Sequence, residues 1–277
     1  MRWRASDGRV LHGWVGGDPD GPLVAVLHGC PDTRHVAMTG DAAARAVGVR
    51  LLCVNRPGYG ASTFHPSSHG SVADDLAGVA ARLGHERFGL LGMSVGGGYA
   101  VACAARFPDR VTALGLVAAQ PPGTRSEPVA ALEEEIAPEF LAWRSSIGPD
   151  DPDDASLADR WLAALPGPDA DLVADLGPGA VAASVREALT DPRGYLRDAA
   201  LSLHPWEHRP AEVRCPVRAW FGADDDRSGA AAASDVLAGL ADVEVVVRPA
   251  TSHLATLVAH WADVLRTVGR PATGLSV

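Results

Sequence analysis

The sequence predicts an α/β fold: a mostly parallel central sheet, helices on both of its faces, and a helical insertion. Three features predict it. Short continuous apolar runs, the mark of strands buried on both faces, alternate with stretches of helical period. A glycine-rich corner, Gly92-Met93-Ser94-Val95-Gly96, joins one such run to one such helix. From about Gln120 to Arg209 the strand signals stop, and Pro, Gly, Asp and Ala with several short helical stretches take over before strands resume. The chain therefore divides into residues 1–119 as the first part of the core, 120–209 as a helical cap insertion and 210–277 as the second part of the core.

Taken in order, Trp3 to Ala5 and Val10 to Val15 flank Ser6-Asp7-Gly8, a hairpin turn signal, and predict an opening antiparallel pair. Leu23 to Leu27 is a continuous apolar strand that runs into His28-Gly29-Cys30-Pro31. An Ala-rich helix over Asp41 to Val47 leads to a strand over Leu51 to Val54, which ends in Asn55-Arg56-Pro57-Gly58-Tyr59-Gly60. A helix over Val72 to Leu83 precedes the apolar run of Phe88, Leu90 and Leu91. After the corner, Val95, Tyr99, Val101, Ala102 and Ala105 mark the buried side of the next helix. A strand over Val111 to Val117 completes a β-α-β-α-β-α-β alternation, which calls for parallel pairing with helical crossovers.

In the insertion, Val129 to Ile136 and Leu157 to Leu165 read as helices. Glu133-Glu134-Glu135 reads as an exposed helix face, and Asp150-Asp151-Pro152-Asp153-Asp154 as a solvated turn. A strand over Val217 to Phe221, a helix over Ala230 to Leu240, a strand over Val243 to Arg248 and a helix over Leu257 to Val268 restore the alternation. The tail after Gly269 reads as frayed.

Composition narrows the partners. With 277 residues and 47% apolar content the chain has ample material for a large core. A formal charge of −10 and the lack of any basic block argue against nucleic acid and anionic membrane, because phosphate binding needs a basic face. All 24 basic residues are arginine, which excludes Schiff-base and Ser-Lys chemistry. Cys30, Cys53, Cys103 and Cys215 are widely spaced with no C-x-x-C, and MRWRASDGRV lacks the apolar core of a signal peptide. Reduced thiols in a cytoplasmic protein are the expectation. No apolar run approaches the roughly 20 residues of a membrane span.

The chemistry gathers at strand ends. Gly92-Met93-Ser94-Val95-Gly96 is a G-x-S-x-G in which a sharp strand-to-helix turn presents a hydroxyl, the flanking glycines removing Cβ atoms that would clash. It lacks the spacing of a dinucleotide-binding G-x-G-x-x-G and the lysine of a P-loop. A serine hydroxyl needs a base to take its proton, and the base needs an acceptor to orient it. Both types follow in the chain: Gly222-Ala223-Asp224-Asp225-Asp226 after one strand and Pro249-Ala250-Thr251-Ser252-His253 after the next. The order Ser, Asp, His is that of the α/β-hydrolase triad.

On these motifs the chain resembles the serine-type α/β-hydrolases that carry a lid, of the esterase and peptidase kind, from about Leu23 to Val268. Five points carry the resemblance: His28-Gly29-Cys30-Pro31, the segment Asn55 to Ser62, the elbow, Gly222-x-x-Asp225, and His253 before the last helix. The resemblance implies Ser94 as nucleophile, His253 as base and Asp225 as its orienting acid. It places the oxyanion donors on the backbone N–H groups of Cys30 and Val95, and it implies neither metal nor organic cofactor. Met93 is expected at the substrate, and Trp206, in a Pro205-Trp206 pair similar to the family's return segment, is expected at the pocket or in the core. Asn55 stands where the family usually has Asp, and Arg227-Ser228 where Val-Pro is common.

The resemblance implies hydrolysis of an ester or related acyl bond in a small molecule, with cap positions such as Leu141 or Trp161 setting acyl preference. Rival readings are a proline-iminopeptidase-like peptidase, a carbon–carbon hydrolase, lyase or biosynthetic cyclase on the same triad, and a non-catalytic ligand receptor. HGCPD departs from the HGGPG of the iminopeptidases, and an intact triad counts against a receptor. His204 and His208 bracket Glu207, but Pro205 disfavours a helix there and no third metal ligand is placed.

Overall fold

The computed structural model describes residues 1–229 and 233–269. Its centre is an eight-stranded sheet in the order β1-β2-β4-β3-β5-β6-β7-β8. β1 (Arg2–Arg4) and β2 (Val10–Gly17) form the opening antiparallel pair, and β2 runs antiparallel to β4 (Arg50–Val54) with Trp14 opposite Cys53. From β4 onward every pairing is parallel: β3 (Leu23–Leu27), β5 (Phe88–Met93), β6 (Val111–Val117), β7 (Val217–Gly222) and β8 (Val243–Arg248). Ala25 of β3 stands opposite Leu52 on one side and Leu90 on the other, so the strand order reverses around β3. In open α/β sheets the crevice for ligands lies beyond the carboxyl ends of strands at such a reversal. Here those ends are His28-Gly29-Cys30 and Ser94.

Both faces are covered. α3 (His69–Arg82) and α4 (Gly96–Arg106) pack Leu76, Ala80, Tyr99 and Cys103 against Leu90, Leu114 and Phe221 on one face. α2 (Asp41–Val47) and α12 (Trp261–Val268) pack Ala44, Trp261, Val264 and Leu265 against Val26, Leu51 and Trp220 on the other. α3 starts at Ser68, whose hydroxyl accepts from Ser71 N while Ser71 Oγ accepts from Ser68 N, a reciprocal capping box. Short α1 (His35–Met38) follows the turn after β3.

Between β6 and β7 lie α5 (Val129–Ile147), α6 (Asp154–Ala163), α7 (Gly167–Ala174), α8 (Pro178–Leu189) and α9 (Pro192–Ser202). They bury a separate apolar cluster of Phe140, Ile147, Leu157, Val181, Val185 and Leu189, and Tyr195 stacks on Phe140 with centroids 3.9 Å apart. α5 runs on past the expected stop at Ile136 and through Pro138, because Phe140 and Ile147 bury in that cluster. Asp153 caps α6 by accepting from Ser156 N, and Asp151 pairs with Arg160 at 2.8 Å, so the acidic run is a capped turn rather than a merely solvated one. Glu133 and Glu135 likewise pair with Arg197 and Arg125.

The end of the chain departs from the expected single helix. α11 (Ala255–Val258) stops short of α12, and Trp261 at the start of α12 buries its ring over Gly40 while Nε1 donates to Thr39 Oγ1 at 2.9 Å. α10 is described over Ala233–Leu237; residues 230–232 of the helix expected there, and the tail from 270, lie outside the described residues. No described helix is long and apolar enough to cross a membrane.

Candidate active site

The corner after β5 is tight. Ser94 has φ = +54°, a left-handed conformation that a non-glycine residue adopts only when its surroundings hold it there. A Cβ on Gly92 would lie 2.6 Å from Gly96 O, and one on Gly96 would lie 2.2 Å from Leu27 O at the end of β3. Glycine at both positions lets the corner close against β3. A Cβ on Gly29 would sit 3.5 Å from Ser94 Cβ, so the HGCP turn and the serine face each other. Cys30, Met93 and Ser94 line one cavity, while Val95 supports the helix start with its side chain against the core. Among the described residues, neither Cys30 N–H nor Val95 N–H makes a turn, loop or cap hydrogen bond to the backbone.

Two loops bring Asp225 and His253 together. Ala223 N donates to Arg248 O and Asp224 N to Thr251 O, and any Cβ on Gly222 would strike Thr251 O at 2.2 Å, so the loops after β7 and β8 run in direct contact. His253 Nδ1 lies 2.8 Å from Asp225 Oδ2. Asp224 and Asp226 point outward and are exposed, whereas Asp225 is 7% exposed. Its second oxygen accepts from Arg227 N at 2.9 Å and Ser228 N at 3.0 Å, which defines the loop where Val-Pro is replaced. Burial pushes the Asp225 carboxyl up, but the His253 hydrogen bond and those two N–H groups prevail and hold it below the usual value. His253 also lines the cavity with Ser94. No hydrogen bond joins Ser94 Oγ to His253 among the described residues; such contacts are commonly long in unliganded sites and tighten with substrate.

The turn carrying Cys30 is held from below. Arg56 Nη1 donates to His28 O at 2.6 Å and Nη2 to Gly29 O at 2.7 Å. Arg56 N lies 3.2 Å from His28 Nε2, which must accept, and His28 Nδ1 lies 2.9 Å from Gly29 O, to which it must donate. Burial, aided by Arg56, drives the His28 pKa well down, so the ring is a neutral structural group with the proton on Nδ1. Burial pushes the Cys30 thiol far up, which leaves no thiolate for nucleophilic work.

The cavity above Ser94 measures about 310 Å³ and is walled mainly by apolar side chains, among them Val36, Trp161, Leu172, Val173, Val181 and Val185. Leu141, in contrast, is 45% exposed on α5 and lies outside it. Trp206 is also not in its wall: the indole enters the slot left by Gly98, where a Cβ would meet Nε1 at 2.7 Å, and packs with the core on the α4 side. Of the two places expected for Trp206, pocket and core, it occupies the core and is not a pocket residue. His204 Nε2 lies 2.5 Å from Glu127 O, and among the described residues no group of three or more His, Cys, Asp or Glu side chains could hold a metal ion.

Sequence reasoning missed two carboxylates in this wall, Asp32 and Asp169. Asp32 follows the HGCP turn directly and that position was a usable signal. Burial raises its pKa to about 7 against the opposing Thr33 N–H and Arg56. Asp169 sits in the acidic insertion with no signal at all.

Residues 22–258 match the family described as the alpha/beta hydrolase fold. No curated protein matches the chain by sequence. Solved structures do resemble it over nearly the whole length. A hydrolase from Pseudomonas aeruginosa PA01 is 22% identical with a TM-score of 0.72, covering 98% of each chain. A thermophilic esterase from Thermogutta terrifontis is 21% identical with a TM-score of 0.70, covering 98% of this chain and 100% of its own. The enol-lactonase from Burkholderia xenovorans LB400 is 19% identical with a TM-score of 0.71, covering 97% and 98%. At such identities the likeness speaks for the fold, while the family match spans most of the sequence: the chain belongs to the α/β-hydrolase fold family.

Proposed function

We propose that the protein is a serine hydrolase that cleaves an ester or related acyl bond of a small, largely apolar molecule. The observation that carries this reading is the 2.8 Å contact between His253 Nδ1 and Asp225 Oδ2 at the wall of the cavity that Ser94 also lines. In this reading the substrate carbonyl approaches Ser94. His253 Nε2 takes the hydroxyl proton as Oγ attacks, and Asp225 holds the proton on Nδ1 and stabilises the imidazolium that forms. The N–H groups of Cys30 and Val95 receive the developing oxyanion, each such donor contributing about 10² to 10³ in rate. His253 then protonates the leaving oxygen, and a water activated by the same imidazole releases the acyl group. Only protein groups, substrate and water take part in these steps.

Residues 120–209 act in this reading as a cap that shapes the pocket. A cavity of about 310 Å³ with mostly apolar walls suits a short or medium acyl chain, at the small end of ligand pockets. The esterase and the enol-lactonase among the similar folds agree with a carboxylic ester as substrate. The test is labelling with a fluorophosphonate probe beside turnover of 4-nitrophenyl butyrate. Wild-type protein should be marked at Ser94 and turn over the ester, and Ser94→Ala should lose the label and nearly all turnover. Unchanged turnover in Ser94→Ala would sink the assignment.

A further inference from the structure

Asp169 belongs to α7 in the insertion, yet it is buried, 1% exposed, against the loop that carries His253. Its Oδ1 accepts two hydrogen bonds, from Ser252 Oγ at 2.5 Å and from Leu254 N at 3.0 Å. The two donors are the residues on either side of His253. One oxygen of the insertion thus grips both neighbours of the imidazole, across 83 and 85 residues of chain.

Among the described residues, the other hydrogen bonds that support this loop come from the core. Thr256 N and Oγ1 donate to Ser252 O at 3.1 and 2.8 Å, Asp224 N reaches Thr251 O, and Asp225 holds the ring. Those contacts tie the base of the loop and the imidazole Nδ1. Asp169 alone among these groups comes from the insertion, and Leu172 and Val173 of the same helix line the cavity. The helix that contacts a bound ligand is therefore also the helix that holds the backbone on both sides of the base.

We propose that Asp169 is a positioning residue that couples the seating of the insertion to the placement of His253, so that the imidazole is aligned with Ser94 when α7 is docked. The proposal rests on the hydrolase reading of Ser94 and His253. Asp169 touches no reacting atom. A misplacement of about 1 Å at a catalytic group can cost about 10² in rate, and a loop released from its hold on the insertion is open to shifts of that size.

The test compares Asp169→Ala, Asp169→Asn and Ser252→Ala with wild type in three readouts: urea unfolding, kcat and KM for 4-nitrophenyl butyrate, and the rate of fluorophosphonate labelling. Asp169→Ala should lower kcat and the labelling rate about 10- to 100-fold while KM moves less than about threefold. Asp169→Asn keeps a carbonyl oxygen that can accept both bonds and should recover to within about fivefold of wild type. Ser252→Ala removes one bond of the pair and should fall between the two, which keeps the test open should Asp169→Ala not fold. A folded Asp169→Ala with wild-type kcat overturns the coupling, as does an Asn variant as impaired as the Ala variant. A wild type that the probe fails to mark at Ser94 overturns the hydrolase reading and this one with it; a marked wild type with an unaffected Asp169→Ala overturns the coupling alone.

Discussion

Asp198 Oδ2 lies 2.5 Å from Arg56 Nη2, and this ion pair joins α9 of the insertion to the turn after β4 through two side chains that are each about 2% exposed. Tyr59 and Tyr99 hydroxyls donate to the same carboxylate at 2.7 Å each, and the guanidinium also holds the carbonyls of His28 and Gly29. All the polar groups of the pair are thus engaged. Because a fully paired buried charge becomes a stranded one when its partner goes, Asp198→Ala should lower the unfolding free energy by about 3–5 kcal/mol. Urea melts check this, and a loss below about 1 kcal/mol would show that the network is dispensable.

The acid loop supplies a sharper comparison. Asp225→Asn should cost at least about 10² in kcat, since asparagine favours the wrong histidine tautomer and, in the chymotrypsin-like case from which that magnitude comes, the loss is about 10⁴. Asp224→Asn and Asp226→Asn, both exposed, should leave kcat within about twofold. Steady-state kinetics on the three variants decide it; a crippled Asp224→Asn beside an active Asp225→Asn would reverse the assignment.

Acyl preference should follow the cavity wall. Shortening Trp161 or Leu172 should shift the kcat/KM ratio between butyrate and octanoate esters by about 10- to 200-fold in favour of the longer chain. Leu141→Ala, on the exposed side of α5, should leave the ratio unchanged. A ratio insensitive to Trp161 and Leu172 would mean that the acyl group does not enter this cavity.

Asp32 gives the stability a definite pH dependence. Burial raises its folded pKa to about 7 from an ordinary 3.8, so between those values the native state keeps a proton that the unfolded chain has released. Its contribution to stability is therefore fully present below about pH 4 and is lost as pH rises towards about 7. Asp32→Asn, which cannot ionise, should raise the urea midpoint at about pH 8 and change it little at about pH 4. An equal effect at both pH values would place the ionised carboxylate in a compensated environment instead.

Much of this fold is legible in the residues themselves. The apolar runs at Leu23 to Leu27 and Phe88 to Leu91 became central strands, because a strand covered on both faces needs no polar alternation. The corner at Ser94 was legible for a local reason, since glycine two residues on either side is what the turn geometry demands. Boundaries were less legible where tertiary burial overrode a local signal: Pro138 did not stop α5, and Trp261 broke the last helix by docking on Gly40. Trp206 stayed open between pocket and core because a Pro-Trp pair carries no mark of which side of a helix its indole will pack against.

The α/β alternation, the serine corner, and the loops carrying Asp225 and His253 at the ends of successive strands are all readable from the order of residues alone. Periodicity, glycine spacing and strand order are local or one-dimensional properties, and they survive without knowledge of what touches what. The resemblance already pointed to Asp225, which lies 2.8 Å from His253, whereas folding alone reveals that Asp198 answers Arg56 where Asn55 leaves no acid and that Asp169 grips both sides of His253. Asp198 lies 142 residues from Arg56 in the chain and Asp169 lies 83 from Ser252, so each contact exists only because the insertion folds back on the core. A carboxylate in an acidic segment looks the same whether it ends in water or against a buried guanidinium, and the difference is made by the surface that packing brings to it.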